Sequence, residues 1–239
     1  IIEKKENRVI KYLCHIFLIV VSFILLLFAM KFFEDSNQFN IFNDLKFTIL
    51  TILIWNFEYL ILKGITEKTK ISLSIVIGIE VIYDIINYIV RTVRGASITI
   101  SDIFAIKTAL SVSKNVNFQI DSKFIFGMTF VLAIIAIIII FRKKFIEEKE
   151  NWKTRIIKII IGILGFVVII QTHVLSKYTL WDMNDTYRTL GTPSTILRML
   201  EDFNVKAPDG YDKEEVANLL NKYESKEKDS KDRKSTRLN

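Results

Sequence analysis

The stretch GIEVIYDIINYIVR, residues 78–91, places Glu80, Asp84, Asn87 and Arg91 inside one of the most apolar parts of the chain. Their spacing of i, i+4, i+7 and i+11 puts all four on one face of a helix. Such a face has three uses. It can form a polar seam that hydrogen-bonds neighbouring helices. It can hold a phosphate ester, with the fork of Arg91 on the phosphate oxygens and the carboxylates on hydroxyl groups. It can also pass protons or cations along a row of carboxylates. A carboxylate at mid-membrane costs about 2.5 to 3.5 kcal/mol on insertion scales, so each use demands compensating partners.

The elements that must position this face are read from the apolar runs. Five segments, roughly 12–33, 47–62, 72–90, 124–141 and 156–175, approach the ~20 residues that cross a hydrocarbon core. The second, FTILTILIWNFEYLIL, is short and contains Asn56 and Glu58. The first has basic flanks, but its apolar run is too long for a signal peptide and no small-residue cleavage site follows. Lysines and arginines number 14 in the flanks that lie on the side of the N-terminus and seven on the other side. The positive-inside rule therefore predicts N-in and C-out. Glu80 then lies near the middle of the third span, Asp84 and Asn87 further out, Arg91 at the outer surface, and Arg94 and Asp102 just beyond.

Charge and composition exclude several functions. The net charge of +7 is mostly this topogenic bias and needs no nucleic-acid partner. Cys14 is the single cysteine and His15 and His173 the two histidines, too few and too dispersed for a zinc site. His173 has no nucleophile in a recognisable motif nearby. Tryptophans 55, 152 and 181 fall near span ends or flanks, as interfacial aromatics do.

Between spans three and four, Ser101 is expected to cap a short surface helix beginning at Asp102, with Ile103, Phe104, Ile106, Ala109 and Leu110 as its apolar stripe. After span five, Thr192-Pro193 reads as a helix start. Asp212 and Glu215 read as the start of another, carrying Val216, Leu219, Leu220 and Tyr223. The chain begins IIEKKENRVI without methionine, so its natural start is expected to lie upstream. Residues 232–239, DRKSTRLN, read as the in-frame translation of a common sequencing adapter, GAT CGG AAG AGC ACA CGT CTG AAC, and are expected to be an artefactual tail without function. The organisation that follows is an all-α membrane protein. Residues 1–175 form a five-helix transmembrane domain, 176–231 an extracellular helical linker, and 232–239 the tail.

Five spans, the outer loop RGASITISDIFAIKTAL and the post-membrane segment GTPSTILRMLEDF followed by KAPDGYDKEEV resemble the membrane part of the lipoteichoic acid synthase family over nearly all of residues 10–225. These are bacterial cell-membrane proteins with a large extracellular sulfatase-like domain. The resemblance implies an intact protein that transfers glycerol phosphate from phosphatidylglycerol to a growing polymer. It would act through a phosphoryl-threonine intermediate with a divalent metal, manganese or magnesium, in a domain beyond this chain. This part would have no catalytic residue, metal ligand or cofactor of its own. Relatives of the same layout transfer other groups or hydrolyse sulfate or phosphate esters.

Under this resemblance the candidate head-group residues are Glu58, Glu80, Asp84, Asn87, Arg91, Arg94 and Asp102, with the bilayer and its phosphatidylglycerol as partners. A structural seam drawing on Asn56, Glu58, Asn87, Tyr59, Tyr83 and Tyr88 competes with that reading. A transporter-like carboxylate path is the third. It finds no Gly/Pro-broken span and no repeat symmetry in its favour.

Overall fold

A computed structural model describes residues 2–34, 45–103, 120–141, 150–178, 180–202 and 216–217, with side chains in the first helix from Leu13 onward. Among the described residues the protein is all-helical. Five long helices come first: α1 (Ile2–Glu34), α2 (Leu45–Thr66), α3 (Thr69–Arg94), α4 (Ser122–Phe141) and α5 (Trp152–Gln171). Two short ones follow, α6 (Met183–Leu190) and α7 (Thr192–Asp202), and a 3-10 turn at Ile100–Ile103 lies between α3 and α4. All five long helices contain a segment long and apolar enough to cross a bilayer, in α1 from Leu13 to Glu34. The chain is a multi-pass membrane protein.

Local chemistry sets the helix ends. Gly95, at φ 79°, closes α3 with its N–H on the Arg91 carbonyl at 2.8 Å, the left-handed stop that glycine adopts without strain. Asn151 and Asp182 cap α5 and α6 through side-chain oxygens. Gly191, at φ 76°, turns the chain so sharply that α7 begins at the next residue. The second span is a full helix of 22 residues despite Asn56 and Glu58. Asn56 returns its amide to the Ile52 carbonyl of its own helix at 2.8 Å.

The fifth span departs from expectation. It ends at Gln171, because Thr172 turns its hydroxyl back to the Ile169 carbonyl and His173 takes a left-handed φ of 48°. The surface helix expected from Asp102 is, where described, only the 3-10 turn. Its acceptor is Asp102, which takes the Thr99 N–H at 2.7 Å, rather than Ser101. Phe104, Ile106, Ala109 and Leu110 lie outside the described residues. So does the helix expected from Asp212 to Tyr223, apart from residues 216–217, and so does the tail at 232–239.

Helix α3 packs on both α1 and α2, α4 lies along α1, and α5 lies along α2. The outer members α4 and α5 are covered on one side only. Ile157, Ile160, Ile161, Leu164 and Val168 of α5 stay exposed, as side chains facing acyl chains do. The centre is a continuous apolar core including Phe23, Met30, Phe33, Ile54, Trp55, Leu73 and Val76. Helices α6 and α7 pack across the end of α1, α2 and α3, and the compact unit runs from Ile1 to Phe203, with Asn204–Asn239 a separate unit.

Between α2 and α5 the approach is closest at glycine. A Cβ on Gly162 would stand 2.5 Å from Ile61 Cγ1 and 2.8 Å from the Phe57 carbonyl. One on Gly64 would meet Ile159 and the Arg155 carbonyl at 2.5 and 2.8 Å. Apolar side chains gain little by leaving lipid for each other, so contact between spans depends on this close backbone packing. Gly162→Leu should force α5 off α2 and cost about 2 kcal/mol. Thermal unfolding in nanodiscs, with a cysteine pair reporting the α2–α5 distance, would check both effects.

Candidate functional site

The polar face of α3 looks at the end of α1 and at the start of α7. Asn87 and Asp84 are each 1% exposed and Glu34, the last residue of α1, is fully buried. The Asn87 amide donates to Glu34 Oε1 at 3.2 Å, and its carbonyl oxygen accepts the Ile98 N–H at 2.8 Å. The Thr192 hydroxyl lies 2.5 Å from Asp84 Oδ1 and 3.1 Å from Glu34 Oε1. One hydroxyl therefore joins three helices.

Arg91 completes the cluster. One of its guanidinium nitrogens donates to the Glu34 carbonyl and lies 3.5 Å from Glu34 Oε2, and the other donates to the Phe33 carbonyl. The first apolar helix thus ends on a cation, which satisfies carbonyls left over at a helix C-terminus and suits the negative end of the helix dipole. The N-terminus of α7 brings the opposite polarity. Thr192, Ser194 and Thr195 are all fully buried, so the positive end of a helix sits beside two carboxyl groups.

Further contacts hold α6 and α7 in place. The Tyr83 and Tyr187 hydroxyls are 2.6 Å apart, and burial, followed by the facing Tyr83, holds the Tyr187 phenol well above its ordinary range. Asn184 clamps the bend after α3, with its amide on the Gly95 carbonyl at 2.7 Å and its oxygen taking both the N–H and the hydroxyl of Ser97 at 2.8 Å. Arg198 donates to the Tyr178 carbonyl at 2.9 Å and tethers α7 to the segment that follows α5.

The other candidates fall elsewhere. Arg94 makes a two-pronged pair with Asp102, at 2.6 and 2.9 Å, and donates to the Ser97 carbonyl at 2.6 Å. The Arg94 guanidinium, with the Thr99 N–H and hydroxyl, outweighs partial burial and holds the Asp102 carboxyl down at about 2. Glu80 lies one turn deeper than Asp84 with a carboxyl oxygen that has no hydrogen-bond partner. Glu58 is half-buried on α2. Of the seam partners expected from the sequence, Tyr83 and Asn87 serve as such, whereas Asn56 turns inward on its own helix and Tyr59 reaches only Thr69, at 3.5 Å.

The arrangement is one of docking. Both arginine forks are directed at protein oxygens, and a phosphate would have to displace Asp102 to reach Arg94. Among the described residues no three His, Cys, Asp or Glu side chains are grouped to hold a metal. The residues that sequence reasoning missed are Glu34 and Tyr187. Glu34 ends an apolar run and looks like an ordinary interfacial acid, and Tyr187 sits in a short amphipathic helix with no marker of depth.

Thr192→Val keeps the side-chain shape but removes the shared hydroxyl, at a cost of about 1 to 3 kcal/mol for the buried acceptors left behind. Hydrogen exchange of residues 183–202 should then accelerate while α4 and α5 keep their protection. The Arg94–Asp102 pair has its own pH signature. A carboxyl held below its unfolded value stabilises the folded state above about pH 4, and that contribution disappears as pH falls through about 2. The Thr99 amide resonance should follow this titration, and Asp102→Asn should abolish it. No family model, curated protein or solved structure matches the chain.

Proposed function

We propose that this chain is the membrane anchor and mounting platform of a bacterial cell-surface transferase of the lipoteichoic acid synthase type. The observation that carries the reading is the Glu34–Thr192–Asp84 junction. An anchor that served only to retain a domain near the bilayer would need no intramembrane carboxylates. Here they lock the first helices after the last span onto the bundle, so whatever follows α7 leaves from a fixed point. The basic flanks support an N-in, C-out orientation, which puts α6, α7 and the chain beyond them outside the cell. The resemblance of the 94–110 loop and the 191–216 segment supplies the family and its glycerol phosphate chemistry. The divalent metal and the threonine nucleophile would belong to the sulfatase-like domain that such proteins carry after the linker.

Presentation of phosphatidylglycerol by the polar face has less geometric support, because Arg91 and Arg94 are engaged by the protein itself. Hydrolase relatives of the same layout would use the same platform. A transporter reading gains nothing from the spans, which are continuous helices.

Two experiments test the proposal. Reading the source DNA past the codon for Lys231 should show the frame continuing into a domain with a metal site and a threonine nucleophile. A natural stop there would overturn it. Arg91→Ala should lower thermal stability, by about 3 to 5 kcal/mol for a buried charge pair broken on one side. It should leave the phosphatidylglycerol preference in nanodiscs unchanged. A selective loss of that preference at unchanged stability would instead favour a head-group site.

A further inference from the structure

Four buried polar side chains in the middle of the bundle have no partner. Ser22 Oγ on α1, Thr51 Oγ1 and Trp55 Nε1 on α2, and one carboxyl oxygen of Glu80 on α3 make no hydrogen bond within the protein. Three of the residues are fully buried and Glu80 is 3% exposed. They come from the three helices that surround the core, and they share a region.

The Phe23 ring, next to Ser22 in sequence, packs on Trp55 with centroids 5.6 Å apart, and the Trp55 indole stands beside the Glu80 carboxyl without making a hydrogen bond of normal distance and angle. Thr51 stands one helical turn from Trp55. At about 1.5 Å per residue, Glu80 lies about 16 Å along α3 from Arg91, Trp55 about 15 Å into α2 and Ser22 about 18 Å back from Glu34. The depths agree.

The hydroxyls are informative because of what they do not do. Ser72, Thr92, Thr129 and Thr195 each return the hydroxyl to the carbonyl four residues earlier, at 2.8–2.9 Å, the usual resting place of such a group in a helix. Ser22 and Thr51 do not. Both oxygens are buried without a hydrogen-bond partner, on two helices that pack on α3 more closely than on each other.

We propose that Ser22, Thr51, Trp55 and Glu80 form an internal hydration site, in which water bridges the indole N–H, the two hydroxyls and the carboxyl oxygen. The donor set selects this ligand. An indole N–H only donates and would repel a cation, and a carboxyl group would repel an anion. A neutral molecule that both accepts and donates satisfies all four, and a buried water typically makes two to four such bonds. The enclosure of all four side chains favours water over a lipid hydroxyl, whose chain would need an opening. The site lies below the Asp84–Thr192 junction and extends the polar column of α3 from Arg91 to mid-bundle. It does not depend on the anchor reading.

The test uses the full chain in nanodiscs with 15N-labelled tryptophan. The exposed Trp152 and Trp181 are replaced by phenylalanine, so that a single indole resonance, that of Trp55, remains. A cross-peak between its N–H and water, lost in Glu80→Leu while the indole resonance persists, is the expected result. No water cross-peak in the parent protein, with an indole proton that resists exchange in D2O, would overturn the proposal whether or not the variant folds. A cross-peak unchanged by Glu80→Leu would overturn the assignment of Glu80 to the site. A cross-peak to lipid glycerol protons in place of water would overturn the choice of ligand.

Discussion

Everything at one end of this bundle depends on a single hydroxyl. Thr192 lies within hydrogen-bond distance of a carboxyl oxygen on α1 and another on α3, and it does so from the first position of a helix whose N-terminus is buried with it. Remove that contact and two carboxyl groups on different helices lose a common neighbour, α7 loses its seat, and the Tyr83–Tyr187 and Asn184 contacts lose the helix pair that presents them. Arg91 acts on the same point from the other side. By closing the C-terminus of α1, it fixes where Glu34 stands. A buried charge pair is a poor source of net stability, so the value of this cluster lies in the geometry that it imposes.

The rest of the bundle is held by different means. Between α2 and α5 the glycines permit close approach, and between α1 and α4 the aromatic rings of Phe28, Phe32, Phe126 and Phe130 stack. Gly127 makes room for Phe33 there, since a Cβ at that position would stand 2.8 Å from its ring. The opposite end carries its own ion pairs, in which Lys63 and Lys158 share Glu150, and Arg155 meets Glu67 and the carbonyls of Gly64 and Ile65. Each long helix therefore has a defined neighbour and a defined end.

Much of this was legible in the residues. Five spans follow from the length of apolar runs, because a bilayer sets a length that composition must match. The polar face of α3 follows from periodicity alone. What that face would meet did not follow. Apart from the Ile98 N–H, the partners come from residues 33, 34 and 187–192, between 50 and 110 positions away along the chain, and no local pattern encodes a contact across that distance. Arg91 shows the limit well. Its type and place at a span end fit a phosphate as readily as a helix terminus, and nothing local in the sequence marks the Phe33 and Glu34 carbonyls that it meets. Span ends were also blurred, since the stop after Gln171 depends on a hydroxyl turned back to its own helix and a left-handed histidine, neither of which changes the hydropathy of the run.

Why a membrane domain would keep the Glu34 and Asp84 carboxyl groups on and beside one helix is answered by register. Apolar contacts in lipid are nearly indifferent to a slide of one helix along another, because the side chains left behind find acyl chains as good a neighbour. A polar contact is not indifferent. A slip of one turn, about 5.4 Å, would carry Thr192 out of reach of both Asp84 and Glu34 and leave their oxygens facing hydrocarbon side chains. A slip of α3 along α1 would likewise part Asn87 from the Glu34 carboxyl and Arg91 from the end of α1. Each of these contacts costs desolvation in the correct register and a larger penalty in any other. The cluster thus converts a bundle that lipid would hold loosely into one with a single arrangement.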